Sequence, residues 1–325
     1  MKILITGIAG FAGSHLAELL LNGGEEVSGA VLPEESVRNT EPFSSRLKLV
    51  TCDLRDPDAV TAMVAQAKPD EIYHLAALAF IPDSVVDPRL TFDTNLYGTL
   101  NLFEAAKKLA RGPRILFVGS ADEYGLVRKE EIPITEENPL RPTNPYSVSK
   151  VSASMLAYQY GLSGRIRVVR VRPFNHTGPR QSPRFVCSDF ARQIVEIERG
   201  RRGPEIRVGN LTPKRDFTDV RDVVRAYRDI LRGGEPGEVY NICSGRAVSV
   251  GEILDTLVSI SARKLDVIEC PDRARKSDVE EIRGDFAKIE RAIGWRPSIP
   301  LEVTLKDLIE YWRRIDEEVT SCHES

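Results

Sequence analysis

Residues 2–13 have the sequence KILITGIAGFAG, in which a short apolar run meets three glycines spaced three residues apart. The run 2–6 predicts a buried strand, and leucines at helical spacing within 12–22 predict a helix directly after it. Glycine permits the tight turn between them and lets the backbone approach a phosphate. A strand, a G-x-x-G-x-x-G turn and a helix in this order predict a dinucleotide-binding site. Its turn residues are Gly7, Gly10, Phe11, Ala12 and Gly13.

Strands and helices continue to alternate after this unit. Further strands are predicted at 27–32, 47–50, 71–76, 114–119 and 166–171, and helices at 57–67, 94–110 and 146–162. Strands separated by helices of this length indicate a parallel sheet that is covered on both faces. The fold class is therefore α/β, a Rossmann-type doubly wound sheet. We expect it to occupy residues 1–172, with 209–245 returning to it.

The regular alternation ends near residue 172. Short strands predicted at 205–208, 239–242 and 265–269 are mixed there with helices at 185–199, 219–232, 249–260 and 301–318. This mixture predicts a smaller mixed α/β domain at the C-terminal end, formed by 173–208 and 246–325. Such a second region is suited to hold the substrate against the cofactor.

The composition favours an ordinary enzyme over a nucleic-acid or membrane protein. The 325 residues are 42% hydrophobic and carry a formal net charge of −3, which gives no general attraction for nucleic acid or anionic lipid. No apolar run approaches the roughly 18–20 residues needed to span a bilayer, and the first residues enter a strand without a signal-peptide pattern. The five cysteines are scattered and form no C-x-x-C pair. We therefore expect a soluble, cytoplasmic protein with reduced thiols and no metal site.

Residues 146–150, YSVSK, place a tyrosine and a lysine four residues apart at the start of a predicted helix. Side chains at this spacing share one helix face. A neighbouring ammonium is expected to lower the pKa of Tyr146 and to suit it to proton exchange with an alcohol or carbonyl. Ser120 follows the strand at 114–119 and is expected to hydrogen-bond the same substrate oxygen. Tyr146, Lys150 and Ser120 are the predicted catalytic residues.

These motifs together resemble the extended short-chain dehydrogenase/reductases that modify nucleotide sugars. The resemblance covers nearly the whole chain. It rests on the glycine turn, on Tyr146-x-x-x-Lys150 and on four further segments: Asp53-Leu54, His74-Leu75-Ala76-Ala77, Asn95 and Arg172-Pro173-Phe174-Asn175. It implies that Tyr146 is the acid/base and that Lys150 also holds the nicotinamide ribose. The other cofactor-binding residues implied are Asp53, Leu54, Leu75, Ala76, Ala77, Asn95 and Pro173. A turn residue at Asp53 and a packed strand residue at His74 are the alternatives.

Residues 174–198 and 208–224 are similar to the branch that contains GDP-mannose 4,6-dehydratase and GDP-4-keto-6-deoxymannose reductase, and the reductase is the closer match. The resemblance implies that Asn175 and Arg215 approach the substrate pyrophosphate, with Arg275 as a second cationic contact. Arginine suits this role because its guanidinium binds phosphate in a bidentate manner. Asp189 is a hypothetical acceptor for the edge N–H groups of guanine, although an exposed helical aspartate is the commoner case.

The segment Ser120-Ala121-Asp122-Glu123 bears on the reaction type. Dehydratases of this family carry Thr-Asp-Glu or Thr-Ser-Glu here, with the glutamate as base, whereas this chain has Asp122 at the glutamate position. Reduction of a ketone needs no such base. We therefore expect NAD(P)H-dependent reduction of a GDP-linked 4-keto-6-deoxy sugar to a GDP-D-rhamnose-type product. A GDP-mannose 4,6-dehydratase that uses Asp122, a nucleotide-sugar 4-epimerase and a non-catalytic NAD(P)-binding protein are the alternatives.

The choice between NAD and NADP remains open in the sequence. The end of the second strand, 29–33, carries neither the acidic residue typical of NAD enzymes nor the arginine typical of NADP enzymes. The resemblance favours NADP slightly.

The helices 94–110 and 146–162 carry apolar residues beyond one obvious core face, and relatives pair these helices across a dimer. We therefore expect a homodimer.

Overall fold

The computed structural model describes residues 1–261, 263–270 and 279–321. In chain order, the strands are β1 (Lys2–Thr6), β2 (Glu26–Val31), β3 (Leu47–Thr51), β4 (Glu71–His74), β5 (Arg114–Val118), β6 (Arg167–Pro173), β7 (Asn175–Thr177), β8 (Glu205–Val208), β9 (Lys214–Asp219), β10 (Val239–Ile242), β11 (Ala247–Ser249), β12 (Asp266–Glu269) and β13 (Glu281–Ile282). The α-helices are α1 (Phe11–Asn22), α2 (Pro57–Ala67), α3 (Ile81–Val86), α4 (Pro88–Phe92), α5 (Gly98–Lys107), α6 (Pro145–Leu162), α7 (Val186–Glu198), α8 (Val220–Gly233), α9 (Val250–Ile260), α10 (Ala287–Ile293) and α11 (Leu301–Ser321).

Seven strands form a parallel sheet in the order β10-β6-β5-β4-β1-β2-β3. The order reverses between β1 and β4, and such a switch point opens a crevice at the carboxyl ends of the strands. Helices α1 and α8 pack on one face through residues such as Leu16, Leu20 and Tyr227. Helices α2, α5 and α6 cover the other face through residues such as Met63 and Phe103. The predicted Rossmann-type fold is confirmed.

The second region packs three helices around a separate core. Helices α7, α9 and α11 share an apolar cluster that includes Phe190, Ile194, Leu254 and Leu308. Strand β9 pairs with β7, β11 and β13 in a small sheet, and β12 pairs with β8. Within 209–245, α8 and β10 therefore lie on the large sheet, whereas β9 lies in the small one. The division of the chain into two domains stays a prediction.

Most predicted elements occur in the structure within one or two residues of the expected ends. The helix predicted at 94–110 differs, because the chain is already helical from Pro88 and passes through a π-helical turn at Asp93–Tyr97 before α5. The strands β7, β9, β11 and β13 were not predicted, since each is short and carries polar residues. Within the described residues, no helix combines the length and the hydropathy needed to cross a membrane.

Candidate active site

A cavity of about 900 Å³ opens at the carboxyl edge of the large sheet. Its wall includes residues at or just after the ends of five parallel strands: Gly7, Val31, Leu75, Ser120 and Pro173. Residues 175–187 of the second region close the opposite side. This crevice is the place where doubly wound sheets bind ligands.

The glycine turn is shaped to admit a pyrophosphate. Gly7 has a φ of +72°, and a Cβ on Gly13 would lie 2.1 Å from the Gly7 carbonyl oxygen. Gly10 is the N-cap residue of α1 and provides no side-chain hydrogen bond to the first amides of the helix. Those amides have no intrahelical acceptor and carry the positive end of the helix dipole. The turn therefore fits the phosphates of a dinucleotide.

Most of the predicted cofactor residues line this cavity, namely Gly7, Gly10, Phe11, Ala12, Gly13, Asp53, Leu54, Leu75, Ala76, Ala77, Tyr146, Lys150 and Pro173. Asp53 also holds its neighbour Arg55 through two carboxylate oxygens, at 2.5 to 3.0 Å. Its carboxylate is thus fixed in place at the end of the cavity predicted to hold adenine.

Asn95 and His74 lie behind the cavity wall. The Asn95 amide bonds both main-chain groups of Leu78 and the hydroxyl of Ser149, and it therefore supports the wall. His74 is buried between the hydroxyls of Thr6 and Thr99, at 2.7 and 2.9 Å. Burial lowers the pKa of His74 to about 3, so the imidazole is neutral. These contacts match the alternative of a packed strand residue.

Ser120, Tyr146 and Lys150 converge at the centre of the edge. Asn144 caps α6 by accepting a hydrogen bond from the Ser147 amide, and Pro145 begins the helix. This start directs Tyr146 toward Ser120, whose hydroxyl hydrogen-bonds the phenol and thereby lowers its pKa. The Lys150 ammonium donates to the carbonyl oxygen of Val118 at 2.5 Å.

The pKa of Tyr146 is not lowered, which corrects the expectation from the sequence. Burial raises it above its ordinary value, and the negative charge of Asp122 raises it further, against the hydrogen bond from Ser120. Burial also lowers the pKa of Lys150 to about 8, which weakens its effect as a cation. The phenol is therefore protonated at neutral pH and holds a proton that it can transfer.

Asp122 faces the cavity and is open to the solvent within it, while protein surrounds it on its other sides. One carboxylate oxygen lies 3.4 Å from the Ser120 hydroxyl. Desolvation by the surrounding atoms raises its pKa, against the Ser120 hydrogen bond and the charge of Arg215. A carboxyl group is thus placed beside the predicted reacting atoms, where it can exchange a proton.

A buried ion pair supports the turn that begins at Ser120, after β5. This ion pair was not predicted from the sequence. Glu123 accepts from the Ser120 amide at 3.0 Å and pairs with Arg172 at 2.7 Å, with both charged side chains almost fully buried. The Arg172 guanidinium also lies over the ring of Tyr124. The signal available was Arg172 itself, since an arginine inside a buried strand requires an anionic partner.

The residues predicted to bind the substrate lie in different parts of the chain, and only some of them are near the cavity. Asn175 lines the cavity at the start of β7. Arg215 donates to the carbonyl oxygens of Lys214 and Val279 at 2.7 and 3.2 Å, near enough to Asp122 to affect its pKa. Arg275 lies outside the described residues.

Asp189 lies apart from the cavity lining. It accepts from the Gln193 side-chain amide at 2.8 Å and faces Arg192, one turn further along α7. Its guanine-binding role stays a prediction.

The wall beyond β2 contains residues that could not be placed from the sequence. Glu35 accepts a hydrogen bond from the Leu32 amide at 2.8 Å, and Arg38 lines the cavity beside it. Asn39 donates to the Ala9 carbonyl oxygen within the glycine turn. An acidic and a basic side chain thus share the part of the cavity wall that follows β2. They follow β2 in a segment without strand periodicity or regular α-helical spacing, so no pattern could have located them.

The parallel sheet, the glycine turn after its first strand and the Ser-Tyr-Lys set at its carboxyl edge define an NAD(P)-dependent enzyme of the short-chain dehydrogenase/reductase class. More narrowly, the chain belongs to the GDP-mannose 4,6 dehydratase family, whose profile matches residues 4–308. The resemblance seen in the motifs is confirmed.

Two relatives and one solved structure show how broad the similarity is. The chain is 35% identical to the GDP-6-deoxy-D-mannose reductase of Pseudomonas aeruginosa, with 98% of this chain and 99% of the relative covered. It is 30% identical to the GDP-mannose 4,6-dehydratase of Vibrio cholerae, with 94% and 92% covered. The solved structure of RMD from Pseudomonas aeruginosa complexed with NADPH superimposes with a TM-score of 0.84 at 34% identity, covering 97% and 99% of the two chains.

Proposed function

We propose that the protein reduces the 4-keto group of a GDP-linked 4-keto-6-deoxyhexose with NAD(P)H. The observation that carries this proposal is that Tyr146 and Ser120 meet in the cavity at the carboxyl edge of the sheet, because reduction requires an acid at the oxygen that becomes an alkoxide. The similarity to a GDP-6-deoxy-D-mannose reductase over nearly the whole chain supports the same reaction.

Three residues of the chain have different roles at the substrate oxygen. A bound reduced nicotinamide supplies the hydride for carbon 4. Tyr146 donates its phenolic proton to the developing alkoxide, and Ser120 donates a hydrogen bond to the same oxygen. Lys150, fixed by the Val118 carbonyl, stabilises the phenolate that remains. Donors already in place where negative charge develops account for a large share of enzymatic rate enhancement.

Dehydration of GDP-mannose is the second candidate, and Asp122 is the observation that favours it. Its carboxyl faces the cavity 3.4 Å from Ser120, and desolvation raises its pKa toward the range useful to a base. Aspartate is one carbon shorter than the glutamate of the dehydratases, so its carboxylate reaches less far. A 4-epimerase remains a further alternative.

We further propose that the second region, 173–208 and 246–325, binds the nucleotide sugar through Asn175 and Arg275, with Asp189 at the guanine, and that Arg215 from the segment 209–245 also contacts the sugar nucleotide. Residues 1–172 and part of 209–245 hold the cofactor. The protein acts in the cytoplasm, as its reduced cysteines favour: four of them, Cys52, Cys187, Cys243 and Cys270, are free thiols in the structure.

We also propose a homodimer that forms through α6 and the helical turn before α5. An exposed stripe of Val148, Met155, Tyr158 and Leu162 runs along α6, and Tyr97 is exposed in the preceding helix. Phe103 of α5, by contrast, is fully buried against the sheet.

The first experiment mixes the purified protein with NADPH or NADH and GDP-4-keto-6-deoxymannose, with GDP-mannose in parallel. Loss of the near-ultraviolet absorbance of the reduced nicotinamide with the keto sugar alone supports the reductase. Unchanged absorbance together with conversion of GDP-mannose to a keto product would refute it and favour the dehydratase. The Asp122→Asn variant then separates the two reactions, because only dehydration needs the carboxylate as a base.

A further inference from the structure

The carboxylate of Glu123 lies directly behind the predicted catalytic serine. Its Oε1 accepts a hydrogen bond from the Ser120 amide at 3.0 Å, at the start of the short helical turn Ala121–Glu123. A Cβ on Gly119 would lie 2.2 Å from the same oxygen, so the main chain approaches the carboxylate this closely because a glycine precedes Ser120. The carboxylate thereby fixes the backbone of a residue that lines the active-site cavity.

A set of buried polar groups holds Glu123 from its other side. Arg172 donates from Nε to the Glu123 Oε2 at 2.7 Å and from Nη1 to the Tyr124 hydroxyl at 3.2 Å. The Tyr124 hydroxyl donates in turn to the Asn241 side-chain oxygen at 2.7 Å, and all four residues are buried. These hydrogen bonds connect Ser120 to β10 and hold the carboxylate in one position.

A charged pair is an unusual way to support a turn in the protein interior. Removal of two charges from water is unfavourable, and apolar side chains of similar size often stabilise a protein as well as a buried ion pair does. The negative charge of Glu123 therefore points to a role besides stability, at an ionisable group close to it.

Lys150 is the ionisable active-site group on which Glu123 acts. Its ammonium lies 5.1 Å from the ring centre of Phe117, on the strand that leads to the turn. Burial lowers the pKa of Lys150 to about 8, and the negative charge of Glu123 opposes this effect. Of the other titratable groups that face Lys150, His74 on β4 is neutral and Tyr146 on the same helix is protonated. Glu123 thus supplies a negative charge that favours the ammonium.

We propose that Glu123 is a positioning residue for the reduction: it holds Ser120 through the main chain, and its charge stabilises the Lys150 ammonium. The inference rests on the proposed function. The two contributions are separable, because the hydrogen bond to Ser120 requires an oxygen at the right distance, whereas the effect on Lys150 requires a negative charge.

The test measures kcat and kcat/KM for reduction of the keto sugar between about pH 6 and pH 10. Glu123→Gln retains an acceptor oxygen but has no charge, so Lys150 should lose its proton at lower pH. We expect the alkaline decline of kcat/KM to move to lower pH by about one unit. Glu123→Asp retains the charge but is one carbon shorter, so the decline should stay near its wild-type pH while kcat falls about tenfold.

Arg172→Gln is the matched control, because it breaks the same buried ion pair and leaves the carboxylate in place. A role in stability alone would make this variant and Glu123→Gln change the pH profile in the same way. We expect instead that the alkaline decline in Arg172→Gln stays at its wild-type pH or moves to higher pH, since the carboxylate still faces Lys150.

An unchanged pH profile in a folded Glu123→Gln variant, or equal displacements in Glu123→Gln and Arg172→Gln, would overturn the inference. Circular dichroism shows whether each variant is folded. For a Glu123→Gln variant that does not fold, Arg172→Gln and Glu123→Asp carry the test, and a decline displaced to lower pH in either one would overturn the inference. A wild-type protein that oxidises neither NADPH nor NADH with the keto sugar would instead refute the proposed function, and with it this role of Glu123.

Discussion

Tyr146 carries the proposed chemistry through a single hydroxyl group. In Tyr146→Phe the ring remains in its buried site but has no proton to donate, so we expect kcat for ketone reduction to fall by about 10²–10⁴-fold. The Kd of NADPH should change little. Steady-state rates and fluorescence titration measure the two effects. Tyr158→Phe, which removes an exposed hydroxyl from the same helix, should leave the rate unchanged. Equal rates for Tyr146→Phe and the wild type would remove Tyr146 from the mechanism.

The lowered pKa of Lys150 predicts how kcat/KM changes at alkaline pH. Burial lowers its pKa from 10.5 to about 8, so the ammonium that stabilises the phenolate is lost as the pH rises through that value. We expect kcat/KM to decline above about pH 8. In Lys150→Arg the guanidinium stays charged, so the residual activity should lack this limb. A decline that persists unchanged in Lys150→Arg would assign it to another group.

The lowered pKa of Lys150 also determines whether the free energy of unfolding rises or falls with pH. Between about pH 8 and pH 10.5 the unfolded chain binds the lysine proton more tightly than the folded protein does. The contribution of Lys150 to the free energy of unfolding therefore increases with pH across that window. At neutral pH, the buried ammonium of Lys150 therefore lowers the free energy of unfolding.

Residues could be predicted from the sequence where a local spacing determines the geometry. The four-residue spacing of Tyr146 and Lys150 is such a case, since any helix places them on one face. Arg180 could not be predicted, because its position depends on a left-handed backbone and on partners more than 100 residues away, Glu18 and Phe43. The predicted lowering of the Tyr146 pKa was wrong, because burial and the charge of Asp122 raise it.

At the level of elements, the turn after β5 depends on the buried pair of Glu123 and Arg172. Replacing Glu123 with Gln leaves a buried guanidinium without its counter-charge, so we expect the free energy of unfolding to fall by about 3–5 kcal/mol. Urea unfolding measures this change. Glu26→Gln is the control, because its ion pair with Lys48 is exposed to solvent and its loss should change the free energy of unfolding little. A similar small loss in both variants would show that the turn does not depend on the pair.

The large elements could be predicted because apolar periodicity marks each one, as the strand Lys2–Thr6 and the helix Pro57–Ala67 show. The small sheet could not. Strand β9 has the sequence KRDFTD, whose polar residues are buried by long-range hydrogen bonds. Asp216, for example, accepts from the amides of Ser244, Gly245 and Gly284. Such partners become visible only once the chain is folded.

At the level of the whole molecule, the exposed stripe on α6 predicts how two copies associate. Val148, Met155, Tyr158 and Leu162 follow a spacing of seven, three and four residues, which aligns them along one side of the helix. Isolated exposed apolar residues are ordinary, whereas an aligned stripe on a long helix is typical of an interface. Across a twofold axis the stripe would meet its own copy.

Met155→Asp places a carboxylate in the middle of this stripe, and symmetry would bring two such charges together in the dimer. We expect light scattering to give twice the mass of one chain, 36.2 kDa, for the wild type and a single-chain mass for the variant. Val86→Asp introduces the same charge at an exposed valine on α3, outside the stripe, and should remain dimeric. A monomeric wild type, or a Met155→Asp protein that stays dimeric, would contradict the proposed interface. Because α6 also carries Tyr146 and Lys150, loss of the dimer should reduce activity as well if the partner helix holds α6 in its catalytic position.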